Sequence, residues 1–307
     1  MLVARVAERE SQIVLGLDPD PGRLWPEDGP GPAADLGVTP AERAAAAVER
    51  HCRAVIDAAG EACVAVKPQL ARFEQLGSAG WAVLENVVRY AQERGLLVIA
   101  DGKRGDIDVT ASAYAGALFG GVQTPFGELG GLGADLATVN PLMGVDAIEP
   151  FVSRARAAGA GVLVLVRTSN PGAADVEDLR LRDGEAVWER VAQLVHELGD
   201  SGVGERGISD VGAVMGATEP DHLRRARELM GNAVFLLPGV GAQGGRVEDL
   251  APAFAPGRAG GLVSASRSIV GAYLQGEGAL AASPAQAARA EAERLRETAW
   301  ELSAIPA

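Results

Sequence analysis

Eight short apolar runs recur along the chain, each closing in polar residues, Gly or Pro. They are IVLGLD (13–18), CVAVKP (63–68), LLVIADGK (96–103) and LATVNP (136–141), then GVLVLVRT (161–168), VGAVMGAT (211–218), AVFLLPG (233–239) and GLVSASRS (261–268). Val, Ile and Leu follow one another in them without strict alternation, which suits parallel strands covered on both faces. Between the runs the period becomes helical. Val48, Cys52, Val55, Ile56 and Ala59 share one helix face, as do Trp81, Leu84, Val88 and Ala91. The segments 146–159, 184–199 and 220–231 each close in Gly, a helix stop signal. A last helix over 283–304 opens with Ser283 as N-cap and Pro284 in the first turn.

Strand and helix alternating eight times predict an α/β fold of the (β/α)₈ TIM-barrel type, whose usual size is about 250 residues. The 307 residues are expected to form a single domain over 1–307, since no linker divides them. The surplus falls in three insertions, at about 18–40, 121–134 and 170–184. All three are expected over or beside the C-terminal face of the barrel. A doubly wound open sheet is the alternative, but GLDPDP follows the first run where that fold would carry GxGxxG.

Composition narrows the partners. Hydrophobic residues at 48% and charged residues at 22% are those of a soluble globular protein with a large core. A net charge of −13 argues against nucleic acid or an anionic membrane. No apolar run approaches the ~20 residues of a membrane-spanning helix, and the opening MLVARVAERESQ is not a signal peptide. Two cysteines make no disulfide framework, and no His/Cys cluster has metal-ligand spacing. A cytoplasmic location, with no metal and no organic cofactor, is expected.

Chemistry gathers at the C-terminal ends of the runs, where barrel enzymes place their sites. Of 28 basic residues only Lys67 and Lys103 are lysine. Lysine can release a proton where arginine cannot. Asp101 and Lys103 stand two apart and so face the same way on a strand, about 6–7 Å along it. Lys67, from the neighbouring strand, is within reach. Such a row suits a proton donor held charged beside a carboxylate; a structural ion-pair cluster at the rim would use the same residues. Pro238, Gly241 and Gln243 belong to the Gly-rich PGVGAQGG after the seventh run, and Ser266 and Arg267 end the eighth. Glycine amides, a helix start and an arginine at this place are suited to phosphate.

These motifs resemble a known family. DGKRGDI (101–107) is similar to the D-x-K-x-x-D-I signature of orotidine 5′-phosphate decarboxylases. GLDPDP, AVKPQ, TVNPLMGVDAI, RTSNPGA, LLPGVGAQGG and SASRSI occur in that family's order, with the long insertions of its longer bacterial members. The resemblance implies conversion of orotidine 5′-phosphate to uridine 5′-phosphate without cofactor, by an alternating tetrad of Lys67, Asp101, Lys103 and Asp106. It implies a homodimer in which Asp106, Ile107 and Thr110 serve the partner's site. It also implies that Asp18 holds ribose hydroxyls, Ser169 reads the pyrimidine, and Gln243 and Arg267 clasp the phosphate; Asn140 lies in a segment that differs among subfamilies. Two alternatives stand beside it. One is a Mg²⁺-dependent sugar-phosphate decarboxylase, in which an acidic residue replaces Lys67. The other is a silent nucleotide-binding barrel, which would show decay among the charged residues.

Overall fold

The structure, a computed structural model, describes residues 1–28, 39–241, 243–274 and 283–304. The strands are β1 Ile13–Leu17, β2 Ala65–Pro68, β3 Leu97–Arg104, β4 Val122–Thr124, β5 Gly127–Leu129, β6 Leu136–Val139, β7 Gly161–Arg167, β8 Val211–Met215, β9 Phe235–Leu237 and β10 Gly261–Ala265. Eight of them close a barrel in the order β1-β10-β9-β8-β7-β6-β3-β2, every neighbour parallel. Each corresponds to one of the eight apolar runs. The helices are α1 Leu2–Arg9, α2 Pro40–Ala59, α3 Leu70–Glu74, α4 Gly77–Glu93, α5 Asp108–Phe119, α6 Val145–Ala157, α7 Val187–Asp200, α8 Pro220–Leu229, α9 Arg267–Val270 and α10 Pro284–Leu302.

Two apolar cores follow from the strand period of two. Outward-facing residues such as Ile13, Leu15, Val66, Val98 and Ala100 pack with Val48, Cys52, Val55 and Leu84 of the helices. Val14, Ala65, Leu97, Ile99, Leu163, Val214, Leu236 and Leu262 meet one another inside the barrel. Val6 of α1 joins this inner core, with Leu2 and Val3 against it, so the first helix plugs the N-terminal end. Its spread of charges masks this amphipathic face in the linear sequence. Capping boxes start α2 (Thr39 with Glu42) and α10 (Ser283 with Gln286), the second where Ser283 and Pro284 predict it. Among the described residues no helix is long and apolar enough to cross a membrane.

The insertions divide between the two ends. Residues 18–28 and 170–184 follow β1 and β7, and both contribute to the cavity at the C-terminal mouth. The segment 121–134 does not lie there. It follows α5, which has already carried the chain down to the N-terminal end, and it folds as the antiparallel hairpin β4–β5. Gln92 Nε2 at the end of α4 donates to Gly133 O at 2.8 Å, and Arg154 Nη1 late in α6 donates to Gly121 O at 2.8 Å. Part of the first insertion, 29–38, lies outside the described residues.

Candidate active site

Along four of the strands the inward row changes from apolar to polar toward the mouth. Leu97 and Ile99 are followed by Asp101 and Lys103, Ala65 by Lys67 and Gln69, Leu136 by Thr138 and Asn140, and Leu262 by Ser264 and Ser266. Gly16 permits the strands to approach here: a Cβ added to it would lie 2.5 Å from Ser266 Cβ. The result is a cavity of about 1170 Å³ floored by Leu165, Val214 and Leu236. Asp18, Lys67, Asp101, Lys103, Asn140 and Ser169 line it, as do Pro238, Gln243, Ser266 and Arg267.

At its base one carboxylate gathers four donors. Lys67 Nζ donates to Asp101 Oδ2 in a close ion pair, and Gln69 Nε2 donates to the same oxygen at 3.2 Å. Lys103 Nζ donates to Oδ1 at 2.6 Å and the Thr138 hydroxyl donates to it at 3.0 Å. Lys67 and Asp101 are buried, whereas Lys103 presents 43% of its side chain to the cavity. Burial alone would raise the Asp101 carboxyl; the ammoniums of Lys67 and then Lys103 outweigh it and hold the group down at about 2. The site therefore carries a fixed anion with a cation on either side, and the more exposed cation can meet a ligand.

Across the loops the polar groups are arranged differently. Ser169 Oγ donates to Gln243 Oε1 at 2.6 Å, joining the loops after β7 and β9. Asn140 Oδ1 accepts the Leu142 N–H at 3.0 Å, within its own turn. The glycines of the loop after β9 were expected to offer amides to an anion. Instead, Gly241 N–H donates to Gly245 O (2.9 Å), Gly244 N–H to Gly241 O (3.0 Å) and Gly245 N–H to Gly239 O (3.1 Å). Gly239 and Gly241 have φ of 105° and 73°, so they build a tight turn that other residues would strain. Gly241 itself is outside the cavity lining, and Ala242 lies outside the described residues. Arg267 is exposed, and among the described residues no hydrogen bond or ion pair engages its guanidinium. With Arg23, which also lines the cavity, it is a cation left available for an anion.

Asp106, Ile107 and Thr110 stand apart from the cavity of their own chain. Asp106 Oδ1 accepts the Ile107 N–H at 2.8 Å, and it pairs with neither lysine. One contributor was missed as a site residue, Gln69. It stands two residues after Lys67, so the same alternation that aligned Asp101 with Lys103 could have found it. Arg167, at the end of β7, straps the 170–184 insertion down: its Nε and Nη2 each reach Asp178 at 2.9 Å. Thr168 holds Glu177 through its N–H (2.8 Å) and hydroxyl (2.9 Å).

A parallel barrel with two ammoniums on one carboxylate, and an unengaged guanidinium lining the same cavity, fits the class of enzymes that act on small phosphorylated anions. Comparison with known proteins narrows the class. Residues 11–282 match the family described as "Orotidine 5′-phosphate decarboxylase / HUMPS family", and the chain belongs to it. It is 42% identical over 282 residues to the orotidine 5′-phosphate decarboxylase of Rhodopirellula baltica, covering 92% of this chain and 90% of that protein. It is 41% identical over 266 residues to that of Deinococcus radiodurans, covering 86% of each. The structure of Leishmania donovani OMP decarboxylase superposes with a TM-score of 0.72 at 31% identity, covering 99% of both chains.

Proposed function

We propose that this chain decarboxylates orotidine 5′-phosphate to uridine 5′-phosphate, the last step of de novo pyrimidine nucleotide synthesis. The observation that carries the reading is the convergence of Lys67 and Lys103 on Asp101 at the base of the cavity. Loss of CO₂ from C6 of the pyrimidine leaves an electron pair with no adjacent carbonyl to delocalise it. Lys103, the more exposed cation, supplies positive charge where that pair develops and then the proton that closes the C–H bond. Asp101 fixes the ammonium and lies near the departing carboxylate. Lys67 keeps Asp101 ionised. No metal or organic cofactor enters this scheme: Lys67 occupies the place where an acidic ligand would be wanted, and its charge repels a metal ion.

Away from the reacting bond, Asp18 is assigned to the ribose hydroxyls, Ser169 to the pyrimidine edge, and Gln243 with Arg267 to the phosphate. Asn140, Pro238 and Ser266 shape the walls of the cavity, and Gly241 the turn that presents Gln243. Binding energy from the phosphate then serves the transition state at the other end of the substrate.

The reading includes a homodimer with shared sites. Asp106 is supported as a donor to the partner by its separation from its own cavity, and Ile107 and Thr110 accompany it. Val109 and Tyr114 of α5, and Leu142 and Met143 of the loop after β6, are exposed apolar side chains, surface that a second copy would cover. A cytoplasmic location goes with a step of nucleotide biosynthesis.

The test is an ultraviolet assay for loss of orotidylate absorbance by the purified chain, with and without EDTA. Turnover unaffected by chelation is expected. No turnover by well-folded protein, or turnover abolished by EDTA and restored by Mg²⁺, would overturn the proposal; the second result would favour the metal-dependent sugar-phosphate branch.

A further inference from the structure

We infer that Thr138 is a positioning residue, whose buried hydroxyl ties the backbone of Lys103 to the carboxylate of Asp101 and so fixes where the Lys103 ammonium stands. The inference rests on the decarboxylase reading above. It begins with an irregularity in the barrel. The pairing of β3 with β6 slips between Ala100 and Arg104, so the ladder is interrupted at the residues that carry the chemistry. Within the gap Lys103 has φ of 48°, a left-handed conformation that few residues other than glycine adopt. Such a residue persists only where its surroundings determine it.

The Thr138 side chain fills the gap. Lys103 N–H donates to Thr138 Oγ1 at 2.9 Å, replacing the missing ladder bond. The same hydroxyl donates its one proton to Asp101 Oδ1 at 3.0 Å, and Lys103 Nζ donates to that oxygen at 2.6 Å. Amide, hydroxyl, carboxylate and ammonium form a ring that begins and ends on one residue. Its direction is forced, because an amide N–H cannot accept, so the hydroxyl hydrogen has nowhere to go but the carboxylate. Thr138 is 1% exposed, so water cannot readily take its place. Without the hydroxyl a half-buried N–H loses its acceptor, Asp101 loses one of its four donors, and the left-handed turn at Lys103 loses its clamp.

Three substitutions separate this from simple packing. Thr138→Val keeps the shape and removes the hydroxyl; Thr138→Ser keeps the hydroxyl and removes the methyl. The valine variant should lower kcat by ~10–100-fold, the cost of displacing a reacting group by a fraction of an ångström to an ångström. Its KM and its affinity for uridine 5′-phosphate should stay within about threefold, because phosphate-anchored binding is made elsewhere. The serine variant should retain kcat within about fivefold. A valine variant within about twofold of the parent in kcat, or a serine variant as impaired as valine, overturns the inference. If valine prevents folding, serine must exceed Thr138→Ala in kcat by about tenfold, and equality of the two overturns it. An inactive parent refutes the decarboxylase reading itself; an active parent with an equally active valine variant refutes only the role of Thr138.

Discussion

Replacing Asp101 with asparagine keeps the size of the side chain and removes the charge on which Lys67 and Lys103 converge. In the folded chain the carboxyl stands at about 2 against an ordinary 3.8. At ~1.4 kcal/mol per pKa unit, that depression contributes roughly 2–3 kcal/mol to folding. The folded value is the lower one, so the contribution is complete above about pH 5, falls to about half near pH 3 and is lost by about pH 1. At neutral pH the variant loses more than this. Lys67 has only 9% of its side chain exposed, and removing one partner of a buried pair costs about 3–5 kcal/mol because the other charge is left uncompensated. The new amide also turns an NH₂ toward groups that are themselves donors, Gln69 or Thr138. Urea unfolding followed by circular dichroism at pH 7 and pH 3 measures both effects. A gap between parent and Asp101→Asn of about 3–5 kcal/mol at pH 7, narrowing by about 1 kcal/mol at pH 3, is expected. A gap below about 1 kcal/mol at pH 7, or one unchanged between the two pH values, refutes the argument that the two ammoniums hold this carboxylate ionised.

Lys103→Arg keeps the positive charge but cannot deliver the proton, so kcat should fall ~10⁴-fold or more while affinity for uridine 5′-phosphate largely survives. Turnover within about tenfold of the parent would remove Lys103 as the proton donor. Arg267→Ala should weaken uridine 5′-phosphate binding by about 1.5–3 kcal/mol, the range for a hydrogen bond to a charged group, and leave uridine binding nearly unchanged. Equal losses for the two ligands in titration calorimetry would sink the phosphate assignment. An inactive Lys103→Ala chain mixed with an inactive Asp106→Ala chain should regain activity through heterodimers that each hold one intact site. Heterodimers demonstrated by mass but devoid of activity would show that the sites are not shared.

How much of this was legible beforehand depends on whether a feature is written locally. The eight strands could be read because a strand buried on both faces must be apolar almost throughout, and each run from IVLGLD to GLVSASRS is. The start of α10 and the apolar faces of the middle helices are likewise local: a cap residue and a first-turn proline in the one, a period near 3.6 in the others. That Asp101 and Lys103 share a face needs only a spacing of two. Lys67 was legible at one remove, since its strand must neighbour theirs in a barrel that closes in chain order.

Other features depend on residues far apart in the chain. The charged first helix becomes a plug only when Val6 joins the inner cluster that holds Val14, Leu97 and Leu262. The 121–134 segment reads like any Gly-rich loop; its distance from the mouth follows from the direction in which α5 runs. The glycines of PGVGAQGG resemble an anion cradle, yet the amides of Gly241, Gly244 and Gly245 are consumed in forming the turn. The four donors on Asp101 come from three strands or their ends, and the slipped register that lets the Thr138 hydroxyl reach both Asp101 and Lys103 appears in no single segment. Period and polarity along one strand are set by which face is buried, and a sequence records that directly. Which side chains meet across strands is set by register and closure, which the packing of the whole barrel decides at once.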